Sequence, residues 1–187
     1  YVRHHRARSS LLVACVALVL LLPLAVGVLV DRYGRSLQAR AEATPLVVGT
    51  PTSRFDLVLA SLYFRGRLPR PLSMAQVDEV LESDLGLPIP LRLGITAREH
   101  PIVGTTHDYY GFRGLVAERG ETPLELGDCV LGARVAEDLG LGPGDKLATD
   151  RGSLYDLTMA YPLRMNVVGV LAATGTADDE AVFCDLS

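Results

Sequence analysis

The stretch LLVACVALVLLLPLAVGVLV, residues 11–30, is an unbroken run of twenty apolar positions close to the start of the chain. An α-helix rises about 1.5 Å per residue, so such a run extends over about 30 Å, the thickness of the hydrocarbon core of a bilayer. A cleaved signal peptide has a shorter apolar core with a small-residue cleavage site close behind it. A buried helix of a soluble domain does not need so many apolar positions in succession. The run therefore predicts a transmembrane helix over residues 10–30.

Basic residues precede this helix and indicate its orientation. Arg3, Arg6 and Arg8 lie in a basic tail, residues 1–9. The cytoplasmic flanks of membrane helices are enriched in Arg and Lys. We therefore expect this tail in the cytoplasm and residues 31–187 outside it, with the helix in the plasma (inner) membrane.

The segment that follows the apolar run, residues 31–44, is rich in helix-forming residues. Pro45 ends this pattern, because proline has no N–H to continue a helix. The segment predicts a helical stalk that leaves the membrane.

The charge of the chain limits its partners. The sequence has 18 basic and 22 acidic residues, a formal net charge of −4. Without Arg3, Arg6 and Arg8 the balance is 15 against 22, which leaves the part beyond the membrane at −7. Nucleic-acid-binding domains normally present a basic surface. We therefore expect no nucleic-acid partner.

Residues 45–115 mix helix and strand patterns. Ser53 and Ser73 each begin an N-terminal capping pattern ahead of an amphipathic segment, which predicts two helices. Short apolar or alternating runs at residues 46–48 and 89–93 predict strands. Together these patterns predict a mixed α/β subdomain.

The pattern changes near residue 116. Polar turns alternate there with short apolar runs, and one short helix is expected over residues 133–139, with Gly140 as its left-handed C-cap. This favours a small β-rich subdomain over residues 116–187. The predicted fold class is therefore α+β, with an N-terminal transmembrane helix, a mixed α/β subdomain and a β-rich subdomain.

The glycine-rich stretch GLGPGDK, residues 140–146, has two interpretations. A phosphate-binding loop has the spacing GxxxxGK[ST] and uses its backbone N–H groups, whereas this stretch has another spacing and Pro143 has no N–H to donate. A helix cap at Gly140 followed by a tight turn explains the same residues. We favour the cap and turn, and we expect no ATP site in this chain.

Two other groups of polar residues suggest chemistry. His107 next to Asp108 suggests an acid–base pair, and Asp178-Asp179-Glu180 suggests a site for a divalent cation. The first pair is adjacent in sequence, where side chains seldom orient onto each other, and the second lacks the alternating oxygen ligands of an EF-hand. We favour a surface turn for the pair and a solvated turn between strands for the acidic group, and we place His100 in a loop. The sequence therefore predicts no catalytic, cofactor-binding or metal-binding residues, and no enzyme activity.

The chain has three cysteines. Cys15 lies in the apolar run and is expected to pack as a small hydrophobic residue. Cys129 and Cys184 lie in the predicted β-rich part, where they either pair as a disulfide outside the cytoplasm or stay as two buried thiols in strands. The sequence leaves both alternatives open.

Six short segments behind the apolar helix form an ordered set. They are LVVG (46–49), IPLRLG (89–94), IVGT (102–105), VLGARVA (130–136), LGLxxGD (139–145) and VVGVLxxTGTxxD (167–179). In order and spacing they resemble the extracytoplasmic core domain of MacB/FtsX-like ABC transporter permeases over nearly the whole part beyond the membrane. The apolar run stands in the place of the first transmembrane helix of that family.

The resemblance implies a function as well as a fold. Such permeases have four transmembrane helices with an outer domain between the first and second, they dimerise, and they pair with a cytoplasmic ATPase. We therefore expect a partner ATPase subunit, a permease dimer and contact with the lipid bilayer, with ATP-driven motion passed to an outer domain that moves or extracts a substrate. This sequence carries one such helix, so transport is expected only together with further membrane helices. The matched glycines and Asp179 are expected to serve turns and packing.

Two other functions agree with the same residues. A single-pass, membrane-tethered module would bind a ligand or a partner protein with no role in transport. A tethered hydrolase would use His107 with a nearby acid, and no recognisable catalytic set accompanies that histidine.

Overall fold

The computed structural model describes residues 6–51, 53–68, 70–84, 86–123, 125–150 and 162–186 of the chain. Residues 1–5 of the predicted basic tail lie outside these ranges. The chain divides into two compact units, Tyr1–Pro45 and Leu46–Ser187. The fold class is α+β, with a long apolar helix in the first unit and a mixed α/β region in the second.

The first unit is built on one helix, α1 (Arg6–Glu42), which has 37 residues and continues through Pro23. It covers the predicted transmembrane segment and residues 31–42 of the predicted stalk. Apolar side chains such as Leu20 and Leu24 are 63% and 71% exposed along it. In the described part of the chain, the segment Ser10–Glu42 is the one helix long and apolar enough to cross a membrane.

The described residues of the second unit form short helices and seven strands. In chain order they are α2 (Arg54–Tyr63), α3 (Met74–Glu82), β1 (Arg92–Ala97), β2 (His100–Thr105), α4 (Asp108–Arg113), β3 (Ala117–Gly120), β4 (Asp128–Leu131), α5 (Ala133–Leu139), β5 (Lys146–Ala148), β6 (Arg164–Leu171), a 3₁₀ helix (Ala177–Glu180) and β7 (Val182–Asp185).

All seven strands belong to one mixed sheet. Its order is β1-β2-β7-β4-β6-β3, and β5, which is not part of this order, also pairs with β6. The pairs β2–β7 and β4–β6 are parallel, and the other pairs are antiparallel. Because β2 pairs with β7, the sheet contains strands from both sides of residue 116.

The core lies on both faces of this sheet, because side chains alternate along each strand. Cys129 and Leu131 of β4 pack on one face, in a cluster that includes Val135 of α5. Val130 packs on the other face with Phe183 of β7, in a cluster that includes the buried tyrosines of α4. The central strands β4 and β7 are therefore buried on both sides.

Local sequence signals predicted some elements and missed others. The helix over residues 133–139 is confirmed, and Gly140 caps it with a left-handed φ of 63°. The capping pattern at Ser73 is also confirmed, since its N–H donates to the Gln76 side chain at 3.0 Å. The strand predicted at residues 46–48 is wrong: this segment is irregular and Leu46 is 78% exposed.

Two further predictions need correction. Ser53 precedes α2 as expected, but its side chain makes no capping hydrogen bond. The strand predicted over residues 89–93 begins only at Arg92, in β1. Pro88 and Pro90 precede it and cannot donate the hydrogen bonds of a sheet ladder.

Candidate functional site

The acidic group Asp178-Asp179-Glu180 is not the solvated turn that the sequence suggested. It lies in the 3₁₀ helix between β6 and β7, and Asp178 is only 2% exposed. The Asp178 carboxyl accepts hydrogen bonds from the hydroxyls of Tyr109, at 2.8 Å, and Thr176, at 2.9 Å. Asp178 therefore joins the 3₁₀ helix to α4 inside the fold.

Asp179 closes the turn that precedes the 3₁₀ helix. Its carboxylate accepts hydrogen bonds from the N–H groups of Thr174, at 2.9 Å, and Gly175, at 2.7 Å. Gly175 has a φ of 70°, a conformation that glycine adopts without steric cost. The Thr-Gly-Thr-x-x-Asp pattern at residues 174–179 is thus a self-contained turn.

The third acid, Glu180, forms an ion pair with Arg65. The three neighbouring carboxyls therefore point to three different partners and do not converge on one ion. Among the described residues, no group of three or more His, Cys, Asp or Glu side chains is placed to hold a metal.

His107 and Asp108 stand at the start of α4, where the sequence suggested a surface turn. Both residues are exposed, as expected: His107 lies in the turn before α4 and Asp108 is the first residue of the helix. The helix continues into Tyr109 and Tyr110, which are 1% and 5% exposed. The His107 ring lies 5.8 Å from the Tyr110 ring, tilted by 43°. This contact directs the imidazole to a tyrosine of its own helix rather than to the neighbouring carboxylate.

The glycine-rich stretch 140–146 has the structure of a helix cap and turn, as predicted. The N–H of Leu141 donates to the carbonyl of Ala136 at 3.3 Å, which is the 6→1 hydrogen bond of a Schellman cap. Asp145 then accepts a hydrogen bond from the N–H of Gly142 at 2.8 Å. The backbone N–H that a phosphate loop would offer at Gly142 is thus already used within the turn.

A cleft of about 430 Å³ lies beside the β1–β2 hairpin in the second unit. Its lining comes from the end of α2, the hairpin, α5 and the 3₁₀ helix: Tyr63, Phe64, Arg65, Thr96, Glu99, His100, Pro101, Arg134, Asp138, Ala177 and Glu180. Sequence reasoning missed this cleft, because its residues are far apart along the chain. His100 was expected in a loop, whereas it begins β2.

Asp150 fixes the hairpin that forms one wall of the cleft. Its carboxylate accepts hydrogen bonds from the N–H groups of Arg98, at 2.8 Å, and Glu99, at 3.0 Å, and from the Thr96 hydroxyl, at 2.7 Å. Arg98 and Glu99 have left-handed φ values of 47° and 71°, so the turn depends on this support. The hydrogen bonds from Glu99, then Thr96, and also from Arg98, lower the pKa of the Asp150 carboxyl. Asp150 is consequently a weak base toward the Thr96 hydroxyl.

The charges of the cleft are of both signs. Arg65 pairs with Glu180, and the Arg134 side chain lies 3.7 Å from the Asp138 carboxylate, with both exposed to solvent at 65% and 48%. Exposed pairs of this kind contribute little to stability and exchange partners readily. The cleft therefore has the chemistry to bind a small ligand that carries both a positive and a negative group.

Comparison with protein-family models and with curated proteins gives no match. Function is therefore inferred from the residues and their arrangement.

Proposed function

We propose that this chain is the membrane-anchored outer part of an ABC transporter permease subunit of the MacB/FtsX-like type. The observation that carries the proposal is the order of the two units. A helix long and apolar enough to cross a membrane, Ser10–Glu42, precedes a compact α+β unit, Leu46–Ser187. In this proposal the helix lies in the plasma (inner) membrane with the N-terminus in the cytoplasm, and the second unit lies outside.

Two of the segments that resemble the family support the proposal, because their residues serve close packing and turns in this fold. Segment 130–136 is the passage from β4 into α5, and it contains Gly132, where a Cβ atom would overlap the backbone oxygens of Asp178 and Asp179. Segment 167–179 is β6 with the turn that Asp179 closes. The matched residues are thus those that this fold needs small or turn-forming.

The proposed role is mechanical. A partner ATPase hydrolyses ATP in the cytoplasm, and the motion passes through the membrane helices to the outer unit. That unit has one sheet with buried clusters on both faces, so it can move as a body without exposing its core. It moves or extracts a substrate on the outer side, within a permease dimer.

The coding sequence that follows the codon of Ser187 tests this role. A permease requires three further apolar spans, each of about 20 residues. We expect these spans in the same or the next reading frame, near a gene for an ATPase with a GxxxxGK[ST] loop. A genome that encodes neither the spans nor the ATPase at this place would contradict the proposal.

The cleft favours a second candidate function, a membrane-tethered binding module without a transport role. Arg134 contributes a cation to its lining, and Arg164, at the start of β6, is an exposed arginine outside it. Binding of a library of short zwitterionic peptides by the full chain in lipid nanodiscs tests this function. The second candidate requires that Arg134→Ala loses at least tenfold in affinity while Arg164→Ala binds as the parent chain does. Equal binding by both variants, or none by the parent chain, would exclude the cleft as the site.

A further inference from the structure

The strand register brings two cysteines of distant sequence position directly opposite each other. In the antiparallel pair β4–β7, Cys129 is the partner of Cys184, Val130 of Phe183 and Leu131 of Val182. The register has no bulge over these three pairs. Residues directly opposite on such strands point to the same face of the sheet.

The hydrogen bonds of the two strands show which kind of pair the cysteines form. The N–H of Gly132 donates to the carbonyl of Ala181 at 2.9 Å, and these two residues continue the same register. Hydrogen-bonded and non-hydrogen-bonded pairs alternate along an antiparallel ladder. Counting back three steps from Gly132 makes Cys129–Cys184 a non-hydrogen-bonded pair, in which Cα atoms are typically about 4.5 Å apart. Disulfides connect residues with Cα atoms about 4.4–6.8 Å apart, so the backbone spacing already suits the bond.

The surroundings of the two thiols differ. Cys129 is completely buried, within the cluster that contains Leu131 and Val182, and Cys184 packs against that cluster while keeping part of its surface exposed. The Cys184 sulfur lies 4.0 Å from the carbonyl oxygen of Val103, which is a weak contact. Cys184 is therefore the thiol that a dissolved reagent reaches first.

We propose that Cys129 and Cys184 are a disulfide site, closed by thiol–disulfide exchange with a small-molecule disulfide. Cys184 releases its proton to solvent, and its thiolate attacks one sulfur of the reagent, which forms a mixed disulfide and releases one thiolate. Cys129 then releases its proton and attacks the Cys184 sulfur, which forms the Cys129–Cys184 bond and releases the second thiolate. The two cysteines are oxidised and the reagent is reduced to two thiols.

The local electrostatics sets the rate of this exchange. Burial, with Cys184 and Asp128 nearby, raises the pKa of the Cys129 thiol to about 12. Burial, and then the Asp185 charge, also raises the pKa of Cys184. Burial, and then the charges of Cys184 and Asp185, also raises the pKa of the Tyr110 hydroxyl. Exchange proceeds through thiolates, so its rate below these pKa values increases about tenfold per pH unit for each thiol that limits it.

The site is tested on the full chain in detergent micelles, with Cys15→Ser in every sample so that only the two sheet cysteines react. The chain is incubated with oxidised glutathione at pH 8.5 and then unfolded in dodecyl sulfate, where maleimide labelling counts the remaining thiols. We expect two free thiols before incubation, none after it, a mass lower by two hydrogen atoms, and a proteolytic peptide pair joined between Cys129 and Cys184. Cys184→Ser is the matched control, in which Cys129 should remain a free thiol after incubation with oxidised glutathione.

Retention of both thiols, a glutathione adduct that persists, or disulfides between two chains would each overturn the proposal. Circular dichroism before and after incubation checks that the exchange takes place on folded protein. The proteolytic peptide pair identifies the Cys129–Cys184 bond directly. The result therefore does not depend on a Cys129→Ser variant, whose folding could be impaired. The outcome is also independent of the proposed transport role, because it measures the sheet register.

Discussion

At the scale of single residues, two neighbouring tyrosines of α4 offer a matched comparison. The Tyr109 hydroxyl donates to the buried Asp178 carboxyl at 2.8 Å, whereas the Tyr110 hydroxyl is buried and has no hydrogen-bond partner among the described residues. Removing the partner of a buried polar group costs about 1–3 kcal/mol, whereas removing an unsatisfied hydroxyl costs little or nothing. We therefore expect Tyr109→Phe to lower the free energy of unfolding by about 2 kcal/mol and Tyr110→Phe to change it by less than about 0.5 kcal/mol.

Urea unfolding of the full chain in micelles, followed by near-ultraviolet circular dichroism, measures both tyrosine variants. The chain has no tryptophan, so tyrosines dominate this signal. Equal losses of stability in the two variants would show that the Tyr109–Asp178 hydrogen bond does not stabilise the 3₁₀ helix.

Asp150 is expected to make stability depend on pH. Hydrogen bonds from Glu99, Thr96 and Arg98 hold its folded-state pKa below the ordinary value of 3.8. A lowered folded-state pKa stabilises the fold at pH values above the unfolded pKa, and this contribution is lost as pH falls through the folded pKa. Asp150→Asn should therefore lower the free energy of unfolding by about 1 kcal/mol at pH 7, a modest value because the group lies near the surface.

Unfolding curves of Asp150→Asn at several pH values measure this contribution. The difference from the parent chain should shrink below about pH 4, where the parent loses its charged acceptor. Glu118→Gln, at an exposed position of β3, is the control and should follow the parent chain at every pH. A constant difference between Asp150→Asn and the parent down to pH 2 would contradict the assigned hydrogen bonds.

Gly132 is expected to tolerate a side chain poorly. A Cβ atom there would overlap the carbonyl oxygens of Asp178 and Asp179, whereas a Cβ at Gly111, inside α4, meets no atom within 4 Å. Overpacking against backbone costs about 1–3 kcal/mol or more, and glycine inside a helix is about 0.5–1 kcal/mol less favourable than alanine. The midpoint temperature of thermal unfolding should therefore decrease for Gly132→Ala and stay unchanged or increase for Gly111→Ala. A Gly132→Ala chain as stable as the parent would mean that α5 and the 3₁₀ helix are not in contact at this point.

At the scale of elements, the sequence predicted what local signals determine. The cap of α5 was predictable because Gly140 and Leu141 carry it within a few residues. The strand expected at residues 46–48 failed because an apolar run becomes a strand only when a neighbour pairs with it, and Val48 is 61% exposed. The cleft and the Cys129–Cys184 pair depend on register between distant segments, which no local pattern contains.

Helix α1 is the element on which the proposed membrane location depends. An arginine at the centre of a membrane helix costs about 2.5–3.5 kcal/mol on insertion. Replacing Val19 and Leu20 together by Arg, at exposed positions near the middle of the run, should move much of the chain from the membrane fraction to the soluble or degraded fraction after alkaline extraction. The matched Val19→Ala, Leu20→Ala chain should stay in the membrane. Equal retention of both variants would mean that α1 is not the anchor.

At the scale of the whole molecule, the proposal joins an apolar helix to an outer unit in which strands distant in sequence pair with each other. Strand β2, from the first half of this unit, pairs with β7, from its end, so its core is complete only when both halves are present. The glycine-rich stretch 140–146 is a helix cap and turn. In the proposed role, a partner ATPase supplies the energy of the motion.

The most direct test of this account is isolation of the chain from its native membrane in mild detergent, followed by identification of its partners and measurement of ATP hydrolysis. The account predicts an ATPase subunit with a GxxxxGK[ST] loop in stoichiometric amount, and hydrolysis that is retained with the chain and abolished when the loop lysine is replaced. Isolation of the chain from intact membranes with neither an ATPase subunit nor ATP hydrolysis would contradict it.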